Sequence, residues 1–316
     1  MIVKADKAAI AKAARIISAG GVVAFPTETV YGLGADATKG KAVARIFEAK
    51  GRPRFNPLIA HVLDLEAALG LAIFCEKALA LASHFWPGPL TLVLPLSLNP
   101  QCQISELVTA GLETVAIRIP AHPVARELLA AVDVPIAAPS ANKSGRMSPT
   151  QAEHVQADFG GEVDMILDAG PSNAGLESTI VTLAPQPTLL RPGAIAREDI
   201  EAVLDCRLAD FRQGEVQSPG QLLSHYAPRA ALRLNAVASF PGEALLGFGP
   251  LAPGAPLNLS PTGDLREAAA NLFAYLRALD ALEPPGIAVM PIPEAGLGEA
   301  INDRLRRASA PKDSKF

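Results

Sequence analysis

Four short clusters place hydroxyls, cations and carboxylates beside glycines, where the strands of an α/β sheet would end. The first is Phe25-Pro26-Thr27-Glu28-Thr29-Val30-Tyr31-Gly32-Leu33-Gly34, directly after an apolar run. Its two threonine hydroxyls and its carboxylate could hold a small polar molecule, and its glycines permit close backbone approach. A turn capped by threonine is the plainer reading of the same residues. The second cluster, Lys50-Gly51-Arg52-Pro53 with Asn56, Pro57 and His61 behind it, flanks one glycine with two cations. Cations held that close repel unless an anion lies between them, which points to a phosphate or carboxylate ligand. Basic residues answering a helix dipole explain the pair equally well. No GxxxxGK[ST] loop occurs, so the cluster is not of the Walker type.

The third cluster is Thr114-Val115-Ala116-Ile117-Arg118-Ile119-Pro120. On a strand, Thr114, Ala116 and Arg118 share one face. An arginine inside an apolar strand is costly unless paired, so Arg118 should meet either a structural carboxylate or that of a substrate. The fourth, Ala137-Ala138-Pro139-Ser140-Ala141-Asn142-Lys143-Ser144-Gly145, offers hydroxyl, amide and backbone donors together. Ser148-Pro149-Thr150 then reads as the opening of a helix, whose dipole would favour an anion; Ser148 or Thr150 as a plain N-cap is the alternative. The Gly-x-Ser-x-Gly elbow of acyl-serine enzymes is absent. Glu177-Ser178-Thr179 before a strand and Leu190-Arg191-Pro192-Gly193 at the end of one are weaker signals.

These clusters need elements to position them. Ile10, Ala13, Ala14 and Ile17 recur at helical spacing over 6–19, and Gly20 stops the pattern. Apolar runs predict strands at 22–25, 58–62, 90–94, 115–119, 136–138, 165–167, 179–183 and 188–190. Helical patterns fall at 40–49, 75–85 and 122–132, the last opened by His122-Pro123. The alternation predicts a mixed α/β sheet domain over residues 1–209. Periodicity fails over 210–229, where Gln213, Gly214, Gln217, Ser218, Pro219 and Gly220 read as a linker. A small second α/β domain, 230–316, carries strands near 245–248 and 287–290 and helices near 264–282 and 297–308.

The chain has 316 residues, 49% of them hydrophobic, which suits two cores. No stretch reaches the run of about 20 apolar residues that a membrane span needs. The first twenty residues mix charges with apolar positions and do not resemble a signal peptide, so a cytoplasmic protein is expected. A net charge of −4 provides no global basic field for nucleic acid. Cys75, Cys102 and Cys206 and the five scattered histidines form neither a disulfide framework nor a transition-metal pattern.

Taken in order, Pro-Thr-Glu-Thr-Val-Tyr-Gly-Leu-Gly, Lys-x-Arg, Trp-Pro-Gly-Pro at 86–89 and Pro-Ser-Ala-Asn-x-Ser-Gly resemble the Sua5/YrdC family across the first domain. Ser-Pro-Gly-Gln-Leu-Leu-Ser-His-Tyr-Ala-Pro at 218–228 resembles the interdomain linker of its longer, two-domain Sua5 type. The resemblance implies a twisted open α/β sheet with a concave cavity and a small Rossmann-like second domain. It implies synthesis of threonylcarbamoyl-AMP and diphosphate from L-threonine, bicarbonate and ATP with Mg²⁺, for N6-threonylcarbamoyl modification of adenosine 37 by the downstream tRNA machinery. By the same resemblance Thr29, His61, Arg118, Ala138 and Ser178 should surround threonine. Arg52, Asn56, Thr114, Ser140, Ser148, Arg191 and Tyr226 should hold ATP, and Lys50, Arg52, Ser140 and Asn142 form the catalytic signature. Such chemistry suits the residues: the transition state is crowded with negative charge, and cations and N–H donors stabilise it without a covalent nucleophile. An RNA-binding or regulatory protein on the same fold is the alternative. Leu222, Leu223, His225 and Tyr226 need burial, so the linker is expected to close over the cavity as a lid, with gluing of the two domains as the rival role.

Overall fold

The computed structural model describes residues 1–97, 103–211, 225–252 and 254–311. Local chemistry explains how its elements begin and end. Asp6 accepts the Ala9 amide at 2.8 Å and starts the first helix, which buries Ala9, Ile10, Ala13, Ala14 and Ile17. Gly51, at a positive φ of 62°, ends the second helix in the left-handed conformation and turns the chain back on itself. His122 caps the helix begun by Pro123, its ring accepting the Val124 amide.

In chain order the first domain runs β1 (Ile2–Lys4), α1 (Lys7–Ser18), β2 (Val23–Phe25), β3 (Gly32–Asp36), α2 (Gly40–Lys50), β4 (Ile59–His61), α3 (Leu65–Leu71), α4 (Glu76–Phe85), β5 (Leu90–Pro95) and α5 (Glu106–Thr109). It continues through β6 (Thr114–Arg118), α6 (Pro123–Val132), β7 (Ile136–Ala137), α7 (Ala152–Phe159), β8 (Met165–Asp168), β9 (Thr179–Thr182), β10 (Thr188–Arg191), α8 (Arg197–Leu204) and β11 (Ala209–Asp210). These strands form one open mixed sheet of 11 strands, in the order β1-β8-β2-β3-β7-β4-β6-β5-β9-β10-β11. The second domain runs β12 (Ala231–Arg233), β13 (Ala244–Gly247), β14 (Leu257–Asn258), α9 (Leu265–Asp280), β15 (Gly286–Val289) and α10 (Leu297–Ser309). Its four strands are all parallel, ordered β12-β15-β13-β14.

Two expectations are corrected in extent. The turn capped by threonine is there, the Thr27 hydroxyl accepting the Thr29 and Val30 amides at 3.2 and 3.3 Å, but Gly32–Asp36 does not belong to it and forms β3, paired with β2 and β7 in the interior of the sheet. Gly34 is required by packing: a Cβ there would lie 2.6 Å from the Phe25 ring. Ser148-Pro149-Thr150 does not open a helix either. The helix starts at Ala152 behind Gln151, and Ser148 is fully buried. The short elements β1, α3, α5, α7, α8, β11, β12 and β14 escape the periodicity analysis because they offer only two to eight residues of pattern.

The two domains share a core. Met147 and Leu176 of the first domain are buried with Leu272, Phe273 and Tyr226 in the cluster that fills the second. Gly175, with a positive φ of 69°, packs so closely on α9 that an added Cβ would meet the Ala269 carbonyl at 2.3 Å.

Candidate active site

The site is assembled by register. β4 and β6 pair in parallel with His61 opposite Arg118 and Ile59 opposite Ala116, so both polar side chains leave the same face of the sheet. Beneath them lies a small apolar floor of Ile59, Val93, Ala116, Ile180 and Leu190. On the neighbouring strands, Thr91 and Ser178 share a hydroxyl hydrogen bond of 2.7 Å. Arg191, at the end of β10, donates to the Ser178 carbonyl at 2.8 Å and hydroxyl at 3.1 Å. Gly193 permits that turn, because a Cβ there would meet the Glu177 and Ser178 backbone at 2.5 Å.

Gly51 reverses the chain between Lys50 and Arg52, so both cations point inward and are nearly inaccessible. Each is already held by acceptors of the protein. The Lys50 ammonium donates to the Ser140 carbonyl at 2.6 Å and to that of Asn142. Arg52 donates to the Asn56 carbonyl and amide oxygen and to the Pro57 carbonyl, at 3.1, 2.6 and 2.8 Å. Lys50 therefore fixes the Ser-Ala-Asn loop, and Arg52 fixes the loop leading into β4. Arg118 is also paired. It meets Glu28 at 2.7 Å, the Thr29 hydroxyl at 2.9 Å and the Gly88 carbonyl at 3.2 Å. The structural carboxylate foreseen as one partner is thus Glu28, whose second oxygen, Oε2, is buried with no hydrogen-bond partner among the described residues.

One pocket collects ten of the fourteen residues singled out in the sequence: Thr29, Lys50, Arg52, His61, Arg118, Ala138, Ser140, Ser178, Arg191 and Tyr226. Three more stand directly behind its wall. Asn56 accepts from Arg52, Asn142 accepts from the Ser140 hydroxyl at 2.5 Å, and the Ser148 hydroxyl donates to Glu177. Thr114 is different. It opens β6 opposite Pro95, four residues before Arg118, and does not line the pocket. Thr27, noted for its hydroxyl, and His225, expected in the lid, also line it, as do Ser144 and Glu177, which had no assigned role. Ser144 belongs to the fourth cluster and could have been included on that ground. Glu177 had been noted as a weak signal, whereas nothing local marks Arg304, which reaches Glu177 from the second domain at 2.8 Å.

Burial dominates the electrostatics. It lowers Lys50 well below its usual value, with Arg52 adding to the effect. It takes His61 and His225 down to about 3, so both rings are neutral at pH 7. The Nδ1 of His225 is buried without a partner among the described residues. Burial alone would raise Glu177, yet Arg304 and then Arg191 outweigh it and hold the carboxyl at about 2. Burial also opposes ionisation of Glu28, but Arg118 prevails and the net shift is downward. Four cationic side chains and one carboxylate thus line a single pocket. Cations in that excess, removed from water, suit a polyanionic ligand.

A mixed α/β sheet that gathers buried cations, hydroxyls and backbone donors at its strand ends defines a small-molecule enzyme that handles anionic substrates. The Sua5/YciO/YrdC family model, described as telomere recombination, matches residues 15–193, and the model for the C-terminal domain of threonylcarbamoyl-AMP synthase matches 195–310. The threonylcarbamoyl-AMP synthase of Pyrococcus abyssi is 43% identical over 94% of this chain and 93% of its own. That of Bacillus subtilis is 43% identical over 95% and 92%. The crystal structure of P. abyssi Sua5 complexed with L-threonine superposes with a TM-score of 0.88 at 40% identity, covering 98% of this chain and 96% of that one. The chain belongs to the threonylcarbamoyl-AMP synthases, in their two-domain Sua5 form.

Proposed function

We propose that this pocket binds L-threonine and ATP side by side and that the chain makes threonylcarbamoyl-AMP there. The observation that carries the reading is the cluster of Lys50, Arg52, Arg118 and Arg191 in one buried pocket with a single carboxylate among its described lining residues. In this reading the pocket is the concave cavity of the sheet. Thr29, His61, Arg118, Ala138 and Ser178 form the threonine end. Arg52, Ser140, Arg191 and Tyr226 form the nucleotide end, with Asn56 and Ser148 behind them and Thr114 at most at its margin. Lys50 and Asn142 act by shaping the Ser140 loop. Oε2 of Glu28, a buried acceptor, and Nδ1 of His225 have no hydrogen-bond partner among the described residues, and a ligand's polar groups would satisfy them.

The threonine amine adds to bicarbonate-derived CO₂ and loses a proton to give a carbamate. A carbamate oxygen then attacks the α-phosphorus of ATP as the bond to the β-phosphate oxygen breaks, and diphosphate leaves. Charge builds on the α-phosphoryl oxygens in transit, and Arg52 and Arg191 answer it without reorganising. Neutral His61 beside Arg118 adds no further positive charge at the threonine end. Mg²⁺ enters as part of the Mg·ATP substrate. Among the described residues no group of three or more His, Cys, Asp or Glu side chains is placed to hold a metal, and Glu177 is already committed to Arg304 and Ser148.

Residues 1–209 and 230–316 are assigned as the two domains, joined by 210–229. The lid expected of the linker rests mainly on 212–224, which lie outside the described residues, as does Cys102; His225 and Tyr226 do line the pocket. Among the described residues no helix is long and apolar enough to cross a membrane, and a cytoplasmic enzyme supplying the tRNA threonylcarbamoyl-transfer machinery is the role assigned. Incubation with Mg·ATP, threonine and labelled bicarbonate should release diphosphate and give a labelled AMP adduct by mass spectrometry. ADP and phosphate as products would refute the adenylylation reading.

A further inference from the structure

Arg304 sits on α10 in the second domain, yet only 1% of it is exposed. Its Nε donates to Glu177 Oε2 at 2.8 Å, its Nη2 to the Pro192 carbonyl at 2.9 Å, and its Nη1 meets Asp303 at 2.6 Å. Its guanidinium carbon lies 5.0 Å from the centre of the Tyr226 ring. Two of these partners, Glu177 and Tyr226, line the pocket of the first domain. Glu177 passes the contact on, since its Oε1 accepts the Ser148 hydroxyl.

A second arginine holds the same strip from another side. Arg277 of α9 donates to the Met147 carbonyl, next to Ser148, and pairs with Asp158 at 2.8 Å. The neighbours of Ser148 and Glu177, Met147 and Leu176, are buried in the second domain's core. The wall of the pocket is therefore gripped from outside by charge and by packing together.

We propose that Arg304 is a positioning residue of the synthase site, acting through Glu177 and Tyr226: it cancels the carboxylate that faces the nucleotide end and fixes the wall that carries Ser148. This rests on the assignment of that end to ATP. The physical need is direct. A buried carboxylate on a wall meant for a triphosphate repels it, and would also draw Arg191 away from the phosphates. Arg304 occupies Glu177 from behind, and Arg191 keeps its hydrogen bonds to the Ser178 carbonyl and hydroxyl on the pocket wall. The second domain thereby supplies a part of the active site without touching substrate.

The test uses the full chain and the variants Arg304→Met, Arg304→Lys, Glu177→Gln and the double variant Arg304→Met/Glu177→Gln, with KM for ATP and for threonine, turnover, and the ATP-induced rise in melting temperature. Arg304→Met should raise KM for ATP about thirtyfold, the low end of what truncating one partner of a buried charge pair costs at other sites. KM for threonine should stay within about threefold, the sites being separate. Removing the stranded charge in the double variant should recover part of the ATP affinity and of the melting shift. A purely structural role predicts lower melting temperatures with equal changes for both substrates, and no recovery in the double variant; either result overturns the proposal. Should Arg304→Met fail to fold, Arg304→Lys carries the test: a selective rise in KM for ATP supports the proposal, and an unchanged or equal rise refutes it. Absence of any AMP adduct from the unaltered chain would instead defeat the synthase reading itself.

Discussion

The two ends of the pocket are built in opposite ways. The end around Arg118 belongs to one domain. His61 and Arg118 are register neighbours on β4 and β6, and the hydrogen bonds of Arg118 go to Glu28, Thr29 and Gly88 in the same sheet domain. The end around Glu177 is held from two domains, through Arg304, Tyr226 and the shared core of Met147 and Leu176. The first end is as rigid as the sheet. The second is as well positioned as the docking of the second domain allows, so the nucleotide side should respond to distant changes that leave the threonine side alone.

The largest expected effect falls on the nucleotide end, at the residue that answers the transition-state charge. Arg52→Ala should lower turnover by about 10²–10³-fold, the usual cost of losing a preorganised donor to a developing oxyanion. Its bonds to Asn56 and Pro57 mean that circular dichroism and melting must be recorded alongside. A folded Arg52→Ala protein with near-normal adduct formation would return Arg52 to a purely structural role.

Next comes the one-domain end. Arg118→Ala leaves Glu28 buried without its partner, and KM for threonine should rise about 100-fold while KM for ATP changes little, a penalty in the range measured for stranded buried charges. Calorimetric titration of threonine and a nonhydrolysable ATP analogue would separate the two. Equal weakening of both ligands would erase the distinction between the ends.

A smaller and more selective effect is expected at the domain junction. Gly175→Ala puts a Cβ 2.3 Å from the Ala269 carbonyl at a positive φ, and should cost about 1–3 kcal/mol of stability. Because the clash pushes α9 away from Gly175 and Leu176, beside Glu177, KM for ATP should rise a few-fold and KM for threonine by less. A loss on the threonine side alone would contradict the comparison.

The smallest effect is a pH dependence shared by both ends. His61 and His225 are held at about 3, well below the ordinary histidine value of 6.5, because burial disfavours the charged ring. Below about pH 6.5 the unfolded chain binds protons that the native state refuses, so stability must fall as pH drops from there toward 3. Each ring can contribute a slope of up to about 1.4 kcal/mol per pH unit. Glu177, lowered to about 2, acts in the same direction below about pH 4.5. Urea unfolding at pH 7.5, 6.5 and 5.5 should show the decline, and replacing either histidine with Asn should flatten it. A flat profile in the unaltered chain would mean that these rings are accessible to water.

Much of the site was legible in the residues because its pieces are local. Lys50-Gly51-Arg52 reads as two cations around a chain reversal, and Thr114, Ala116 and Arg118 read as one face of a strand, from spacing alone. The ordered clusters also placed ten residues that the fold brings to one pocket. Other features depend on pairing across long stretches of chain. Gly32–Asp36 becomes an interior strand only because β2 and β7 are there to pair with it and Phe25 fills the space above Gly34. Propensity argues against a strand at a glycine-rich run, and tertiary pairing overrides it. Which partner each charge takes was decided the same way: Lys50 by carbonyls 90 and 92 residues away, Glu177 by an arginine 127 residues away. The sequence by itself determined which chemical groups the protein has and which segments carry them, because periodicity and turn chemistry act over a few residues. Only the tertiary structure decided which groups meet, since a buried charge must be paired and its partner can come from any part of the chain that the fold brings within about 3 Å.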